Sequence, residues 1–152
     1  MILKNRQVII MQGLSGSGKT HWANKNYPNA TVVSADKYFT RDGEYKFDPK
    51  LLNKAHSWCL RRFIDALDRG DTTIIVDNTN TEKWEWYGYA KLAGHWGYKW
   101  GVADLYDGPA GLTDDQLAEK NIHGVPAEAI ARQRERYSRA RKEELICPTL
   151  LR

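Results

Sequence analysis

The stretch "GLSGSGKT", residues 13–20, follows directly after the apolar run "VIIMQ" at residues 8–12. It fits the pattern GxxxxGK[ST], in which glycines let successive backbone N–H groups point inward and surround phosphate oxygens. A helix that opens at Lys19 adds its positive N-terminal end. The Lys19 ammonium would reach the β- and γ-phosphates of a nucleoside triphosphate, and the Thr20 hydroxyl would ligate Mg²⁺. The pattern therefore predicts a phosphate-binding loop built from Gly13, Ser15, Gly16, Ser17, Gly18, Lys19 and Thr20.

The composition around this loop is that of an ordinary globular chain. It has 152 residues, of which 41% are apolar and 28% charged, so we expect a single domain over residues 1–152. The net charge of +4 and the pI near 9.0 are compatible with an anionic partner such as a nucleotide or nucleic acid, but do not require one.

The cysteines and the lengths of the apolar runs indicate the compartment and whether the chain crosses a membrane. Cys59 and Cys147 belong to no CxxC or Cys/His cluster, so a structural zinc site is not expected and a reducing compartment is favoured. No apolar run approaches the ~18 residues of a membrane span, and the N-terminus lacks the features of a signal peptide. We expect a cytoplasmic protein without a membrane partner.

The apolar periodicity predicts strands that alternate with helices. Strands are expected at residues 7–12, 31–34, 72–76 and 98–106. Helices are expected at residues 19–26, from an Asp48 cap to Gly70, from a Thr81 cap to about residue 94, from a Thr113 capping box to about residue 120, and from Pro126 to about residue 145. Residues 40–47 are expected to be a loop with a turn at Asp42-Gly43. This order predicts a three-layer α/β fold: a parallel sheet of about four strands, helices on both faces and a C-terminal helical lid.

Two carboxylates follow predicted strand ends. Asp36 lies in "VVSADKYF" and Asp77 in "TIIVDNTN", and ligands of parallel sheets bind at the carboxyl ends of the strands. In phosphoryl transfer, one carboxylate can orient the acceptor hydroxyl and take its proton, while a second can position the substrate or support Mg²⁺ through water. The alternatives are a helix cap for Asp36 and a turn former for Asp77. Their position beside the phosphate-binding loop favours function.

Phosphoryl transfer also needs cations around the charge that develops. The segment "AEKNIHGVP" contains Lys120 and His123. On the helix that should follow, Arg132 and Arg136 are spaced i to i+4 and would share one face. That helix is mixed in charge, so most of it should face solvent. We expect Arg132 and Arg136 alone to face a ligand.

Together these stretches resemble the kinase domain of polynucleotide 5′-hydroxyl kinases, the phage end-healing type and its relatives in larger eukaryotic proteins. The resemblance covers nearly the whole chain and rests on "GLSGSGKT", "SADKYF", "DGEYKFDP" with "AHSWC", "VDNTNT" with "WE", and "KNIHGVP" with "IARQRER". It implies ATP as donor and a 5′-OH end of DNA or RNA as acceptor. It also implies that Asp36 is the general base, that Asp77 helps to shape the acceptor site, and that the segment from Lys120 to His123 is a lid that clamps the phosphates.

The predicted site therefore has a donor half and an acceptor half. We expect catalytic roles for Asp36, Lys19, Lys120, His123 and Arg132, ATP binding by the loop and Arg136, acceptor binding by Asp77, Asn78 and Lys37, and Mg²⁺ at Thr20. Two positions depart from the family pattern: Lys120 stands where arginine is usual, and Phe39 near the place of an arginine in the phage enzyme. No DxDxT-like phosphatase motif occurs, so a kinase-only chain is expected.

Two other function classes stay open from the sequence. The same site would serve a small-molecule kinase, which differs only in the acceptor groove. An open basic channel past Asp36, lined by Lys37, Lys46 or Arg41, favours a polynucleotide, whereas a closed base-sized pocket favours a small acceptor. The third class is a non-catalytic nucleotide-binding module. The choice of DNA or RNA, the oligomeric state and partner enzymes stay open too.

Overall fold

The computed structural model describes residues 5–146, and a parallel four-stranded sheet forms its centre. The strands are β1 (Gln7–Gly13), β2 (Thr31–Val33), β3 (Thr40–Arg41), β4 (Glu44–Tyr45), β5 (Thr73–Asp77) and β6 (Lys99–Tyr106). The main sheet has the order β2-β5-β1-β6, and β3 and β4 form a separate antiparallel hairpin. The helices are α1 (Lys19–Asn26), α2 (Leu52–Arg69), α3 (Lys83–His95), α4 (Asp114–Lys120) and α5 (Ala127–Glu135).

Helices cover both faces of the sheet, as β1 shows residue by residue. Val8 and Ile10 point into the core that contains Phe63 of α2 and Trp86 of α3. The alternate residues of the same strand, including Ile9, pack with Ala23 of α1 on the opposite face. Because side chains alternate between the faces of a strand, a continuous apolar run is what a doubly covered strand requires. The predicted three-layer α/β fold is confirmed.

Helix α2 ends as predicted and begins later than predicted. Gly70 closes it in the left-handed region at φ 76°, a conformation that glycine adopts without strain. Asp48 does accept a hydrogen bond from the Lys50 N–H, but the turn Pro49–Leu51 is a 3₁₀ helix, so the α-helix starts at Leu52. Cys59 of α2 is fully buried, as a small core residue.

Two local predictions are wrong. Thr81 does not cap α3: the N-cap is Glu82, and the Thr81 hydroxyl donates instead to Glu85 Oε1 at 2.8 Å. The predicted turn at Asp42-Gly43 is confirmed, with positive φ of 51° and 78°, but the residues on either side of it form a hairpin where a loop is expected. Two such residues in succession match the right-handed twist of the paired strands. The predicted capping box at Thr113 is confirmed.

The predicted helix from Pro126 to residue 145 is also wrong, because α5 ends at Glu135. Beyond the end of α5, the backbone bonds to the buried side chain of Gln12 on β1. The Gln12 amide donates to the Ser138 carbonyl at 2.6 Å and accepts from the Ala140 N–H at 3.3 Å. The Ser138 N–H donates to the Thr81 carbonyl at 2.7 Å. Leaving the Gln12 amide unsatisfied would be costly, so this tertiary bonding outweighs the helical pattern.

Across residues 5–146, none of the helices has both the length and the apolar character that a bilayer crossing needs.

Candidate active site

The candidate active site lies at the carboxyl end of the main sheet. The phosphate-binding loop follows β1, a 3₁₀ helix at Ala35–Phe39 follows β2, and Asp77 is the last residue of β5. Since β1 and β5 are parallel and Met11 pairs with Asp77, these segments emerge side by side. This is the edge at which open α/β sheets bind ligands.

The backbone of the phosphate-binding loop is fixed by its neighbours. The Gly13 N–H donates to the Thr79 carbonyl at 3.0 Å, and the Leu14 N–H to the Tyr106 carbonyl at 2.9 Å. Gly16 and Gly18 have φ of 84° and 95°, and a Cβ on Gly16 would lie 2.4 Å from the Leu117 carbonyl oxygen. Glycine at 16 is therefore required by both conformation and space.

The Lys19 ammonium is held inside this loop. Its Nζ donates to the carbonyls of Gly13 and Leu14, both at 3.0 Å. Burial lowers the pKa of Lys19, while the charges of Asp77 and Asp36 act in the opposite direction. A bound phosphate would favour the charged form further. The loop thus presents a desolvated cation whose natural partner is an anion.

The pair formed by Thr20 and Asp77 supplies oxygen donors beside Lys19. The Thr20 hydroxyl donates to Asp77 Oδ2 at 2.8 Å, and Asp77 is only 8% exposed. A hydroxyl and a carboxylate fit Mg²⁺, which takes few protein ligands and completes its shell with water and substrate phosphates. These two residues could hold such an ion, Asp77 directly or through water.

Asp36 stands on the acceptor side and remains accessible. Its side chain is 49% exposed. The Tyr45 hydroxyl donates to Oδ1 at 3.3 Å, and His123 Nε2 lies 3.5 Å from Oδ2. The Ser34 hydroxyl accepts from the Asp36 N–H at 3.2 Å, which fixes the start of the 3₁₀ helix. Burial, followed by the Asp36 charge, raises the pKa of Tyr45, so Tyr45 is a neutral donor.

The connection between α4 and α5 brings His123 to Asp36. Asn121 closes this turn, since its side chain accepts from the Val125 N–H at 2.8 Å and donates to the Val125 carbonyl at 3.0 Å. The His123 ring then lies against Tyr45, with centroids 4.2 Å apart. The structure therefore joins a residue predicted for the lid to the predicted general base.

The other predicted cations make different contacts and have none with Asp36 among the described residues. Lys120 and Arg132 are exposed. Arg136 follows the end of α5, and its Nε donates to the Thr81 hydroxyl at 3.1 Å. Lys37 Nζ donates to the Val32 carbonyl at 2.6 Å. The roles of these four residues stay predictions.

Asn78 directly follows β5, and its side chain bonds to two neighbouring elements. Its Oδ1 accepts from the Ala35 N–H at 2.9 Å, and its Nδ2 is 3.7 Å from Cys59 Sγ. The first bond connects the end of β5 to the 3₁₀ helix that carries Asp36, and the second connects it to α2. Asn78 thereby positions the 3₁₀ helix, whereas its predicted contact with an acceptor stays a prediction.

Several residues at the site have no role in the sequence-based prediction. Gln133 of α5 accepts from the Ser15 N–H and donates to the Ser15 hydroxyl, both at 3.0 Å. Asp104, 3% exposed, accepts from the Tyr137 hydroxyl and from Arg139 Nε, both at 2.7 Å. These contacts join residues more than 30 positions apart, and no local pattern announces them.

Comparison with known proteins places this arrangement in a family. A family model described as an AAA domain matches residues 8–140. The chain belongs to the AAA_33 family. A curated relative of this AAA_33 domain, NEDD4-binding protein 2 of Homo sapiens, is 36% identical over 138 residues, which are 87% of this chain and 8% of that protein. The chain therefore spans less than a tenth of the length of this relative.

Solved structures share the fold of the AAA_33 domain. A gluconokinase from Sinorhizobium meliloti 1021 has a TM-score of 0.58 and 13% identity, with 91% of this chain and 79% of that chain covered. The Pnkp1/Rnl/Hen1 RNA repair complex has a TM-score of 0.59 and 16% identity, with 86% of this chain and 43% of that chain covered. At these identities the likeness concerns the fold alone. The solved structures therefore share the predicted three-layer α/β fold.

Proposed function

We propose that this AAA_33 domain transfers the γ-phosphoryl group of ATP to the 5′-hydroxyl of a nucleic acid. The observation that carries the proposal is the meeting of two groups at one sheet edge: the Lys19 ammonium, held by two carbonyls of its phosphate-binding loop, and the half-exposed Asp36 carboxylate. The first suits a triphosphate, and the second can receive a hydroxyl from solvent. The fold shared with an RNA repair complex is consistent with a nucleic-acid acceptor.

On the donor side, the loop residues Gly13 to Thr20 would hold the triphosphate of ATP with their backbone N–H groups. Lys19 would leave its two carbonyl partners far enough to meet the β- and γ-phosphate oxygens. Thr20 and Asp77 would hold Mg²⁺, which supplies charge neutralisation on the phosphates when bound. Gln133 keeps Ser15 in place while the ligand binds.

On the acceptor side, Asp36 would accept the proton of the 5′-hydroxyl. The oxygen of that hydroxyl forms a bond to the γ-phosphorus, the bond from phosphorus to the β,γ-bridging oxygen breaks, and ADP leaves. Tyr45 holds the Asp36 carboxylate by its hydroxyl. His123 of the lid contacts Asp36. Lys120 of the lid, together with Arg132 and Arg136, would surround the transferring phosphoryl group after the lid and α5 move towards it.

The surface around Asp36 favours a polynucleotide over a small acceptor. Asp36 lies beside the β3–β4 hairpin, on which Arg41 is exposed and the Lys46 side chain is 72% exposed. Exposed cations next to an accessible carboxylate can follow a phosphate backbone. The alternative is a kinase for a small hydroxyl compound, which the fold shared with a gluconokinase favours.

The test is transfer of labelled γ-phosphate from ATP to matched acceptors. Single-stranded DNA, RNA and mononucleosides with a free 5′-OH are offered separately and in competition, and the same oligonucleotides with a 5′-phosphate are the control. We expect label on the 5′-OH oligonucleotides and none on the controls. Clear ATP binding without transfer to any oligonucleotide overturns the proposal, and transfer to small hydroxyl compounds alone supports the alternative.

A further inference from the structure

A group of aromatic side chains on the β3–β4 hairpin lies next to the candidate active site. Phe47, just after the hairpin, is 50% exposed. Its ring is nearly parallel to that of Tyr45, with an angle of 12° between the planes and 6.4 Å between centroids. Buried Phe39 supports it edge-on from below, with centroids 5.1 Å apart. Phe47 thus has one supported edge and an open surface.

Tyr45 connects this aromatic group to the reacting centre. Its hydroxyl donates to Asp36 Oδ1 at 3.3 Å. Its ring packs against the imidazole of His123, with 4.2 Å between the ring centroids and 36° between the ring planes. One face of Tyr45 therefore accepts a planar ring from the lid. Together, Tyr45 and Phe47 define an aromatic platform that starts at the Asp36 carboxylate and extends outward to solvent.

Two cations lie on or next to the hairpin that carries the aromatic platform, since Arg41 pairs with Glu44 across the hairpin and Lys46 stands between Tyr45 and Phe47 in the chain. The Arg41 guanidinium lies over the Tyr38 ring at 6.0 Å. Lys46 is paired with Glu44 at 3.4 Å, but both side chains are 72% exposed, so this ion pair is weak and easily exchanged. Alternating aromatic and basic side chains are what single-stranded nucleic acid requires, since rings stack with bases and cations meet phosphates.

We propose that Tyr45 and Phe47 stack with the base of the acceptor nucleotide whose 5′-oxygen faces Asp36. The inference rests on the proposed function and specifies its substrate: a 5′ end whose terminal base is unpaired, of any base identity, because every base has a stacking face. A base inside a duplex is already stacked and paired, and exposing it costs energy. Single-stranded or overhanging 5′ ends are therefore preferred over recessed and blunt ones.

The experiment compares Phe47→Ala with wild type on two acceptors. One is a single-stranded 5′-OH oligonucleotide, and the other is the same oligonucleotide without the base on its first nucleotide. Phe47→Ala should raise KM for the normal acceptor by roughly 5- to 50-fold, with kcat and KM for ATP unchanged. For the abasic acceptor, KM is already high in wild type and the substitution should change it by less than about twofold.

Two control variants separate stacking from loss of structure. Trp84→Ala removes an aromatic side chain that is 77% exposed on α3 and should leave both KM values as in wild type. Phe47→Trp keeps a ring and should restore KM for the normal acceptor. An unchanged KM in Phe47→Ala overturns the aromatic platform, as does an equal rise for both acceptors.

Failure of the proposed function is distinguishable from failure of the aromatic platform. If wild type transfers no phosphate to any oligonucleotide, the proposed kinase function fails. Fluorescence anisotropy with a labelled single-stranded oligonucleotide then tests the platform by itself. A Kd that rises in Phe47→Ala and returns in Phe47→Trp supports stacking, and equal Kd values for wild type and Phe47→Ala overturn it.

Discussion

The donor side and the acceptor side of the candidate active site differ in how they are held. On the donor side, the Lys19 ammonium bonds to two carbonyls of a loop whose backbone bonds reach Thr79 and Tyr106. On the acceptor side, Asp36 is 49% exposed and its partners are the hairpin residue Tyr45 and the lid residue His123. The donor side is thus an extension of the core, whereas the acceptor side is assembled from surface elements that can separate.

Two hydrogen bonds of the same type, each from a tyrosine hydroxyl to an aspartate carboxylate, show the difference in burial between the two sides. Near the donor side, the Tyr137 hydroxyl donates to Asp104, which is 3% exposed, at 2.7 Å. On the acceptor side, the Tyr45 hydroxyl donates to Asp36 at 3.3 Å. A buried carboxylate depends on its partners, while an exposed one can use water instead. We therefore expect substitutions on the acceptor side to change activity and those near the donor side to change stability as well.

The largest effect should come from the general base. Asp36→Asn removes the proton acceptor and should lower kcat by roughly 10²–10⁴-fold, with ATP affinity unchanged because Lys19, Thr20 and Asp77 are intact. Steady-state transfer and ATP titration measure the two effects. Asp42→Asn is the matched control, since Asp42 has φ 51° in the hairpin turn and asparagine tolerates this conformation. An Asp36→Asn variant with the kcat of wild type contradicts the assignment.

On the donor side, Lys19→Ala should affect ATP binding and catalysis but not acceptor binding. Loss of the cation in the phosphate-binding loop should lower kcat by roughly 10²–10³-fold and weaken ATP binding, while oligonucleotide binding measured by anisotropy stays as in wild type. Lys25→Ala, at an exposed position in the last turn of the same helix, is the control. If Lys19→Ala weakened oligonucleotide binding as much as ATP binding, the two sides would not be separable.

The donor side could be predicted from sequence because its contacts are local. Lys19 bonds to carbonyls five and six positions earlier, so a continuous pattern encodes the geometry. On the acceptor side, the sequence predicts roles for Asp36, His123, Asp77, Asn78 and Lys37, but not which of these residues are in contact. The contact of Asp36 with His123 joins positions 87 apart in the chain, and the role of Tyr45 depends on a hairpin where a loop was expected.

The end of α5 shows a further limit of sequence patterns. Charges and helix formers continue to residue 145, but the buried Gln12 side chain bonds to the backbone of Ser138 and Ala140. A polar side chain inside an apolar strand gives a hint that some backbone must satisfy it. Which segment does so is decided by packing, and packing is not visible in a local pattern.

The two tyrosine–aspartate pairs give a smaller, stability-based test. Tyr137→Phe leaves buried Asp104 without one donor and should lower the free energy of unfolding by about 1–3 kcal/mol. Tyr45→Phe should cost less than about 1 kcal/mol, since water can replace it at Asp36. Urea unfolding of both variants and wild type measures the difference. An equal or larger cost for Tyr45→Phe would contradict the proposed contrast between the two sides.

The smallest expected effect is the alkaline dependence of stability. Burial and then the charge of Asp104 raise the pKa of Tyr137 above its ordinary value of 10.0. Above that pH the unfolded chain loses a proton that the folded chain keeps, so the unfolded state binds fewer protons and stability falls as pH rises. The slope for this group is at most about 1.4 kcal/mol per pH unit.

Comparing variants isolates this contribution of Tyr137. Urea unfolding is measured at about pH 9 and about pH 11, and Tyr137→Phe should lose less stability over this interval than wild type. Tyr45 has a raised pKa for the same kind of reason, namely burial followed by the Asp36 charge, so Tyr45→Phe should flatten the curve in the same direction. A Tyr137→Phe curve parallel to that of wild type would show that Tyr137 titrates alike in both states, and that the Asp104 contact does not hold its proton.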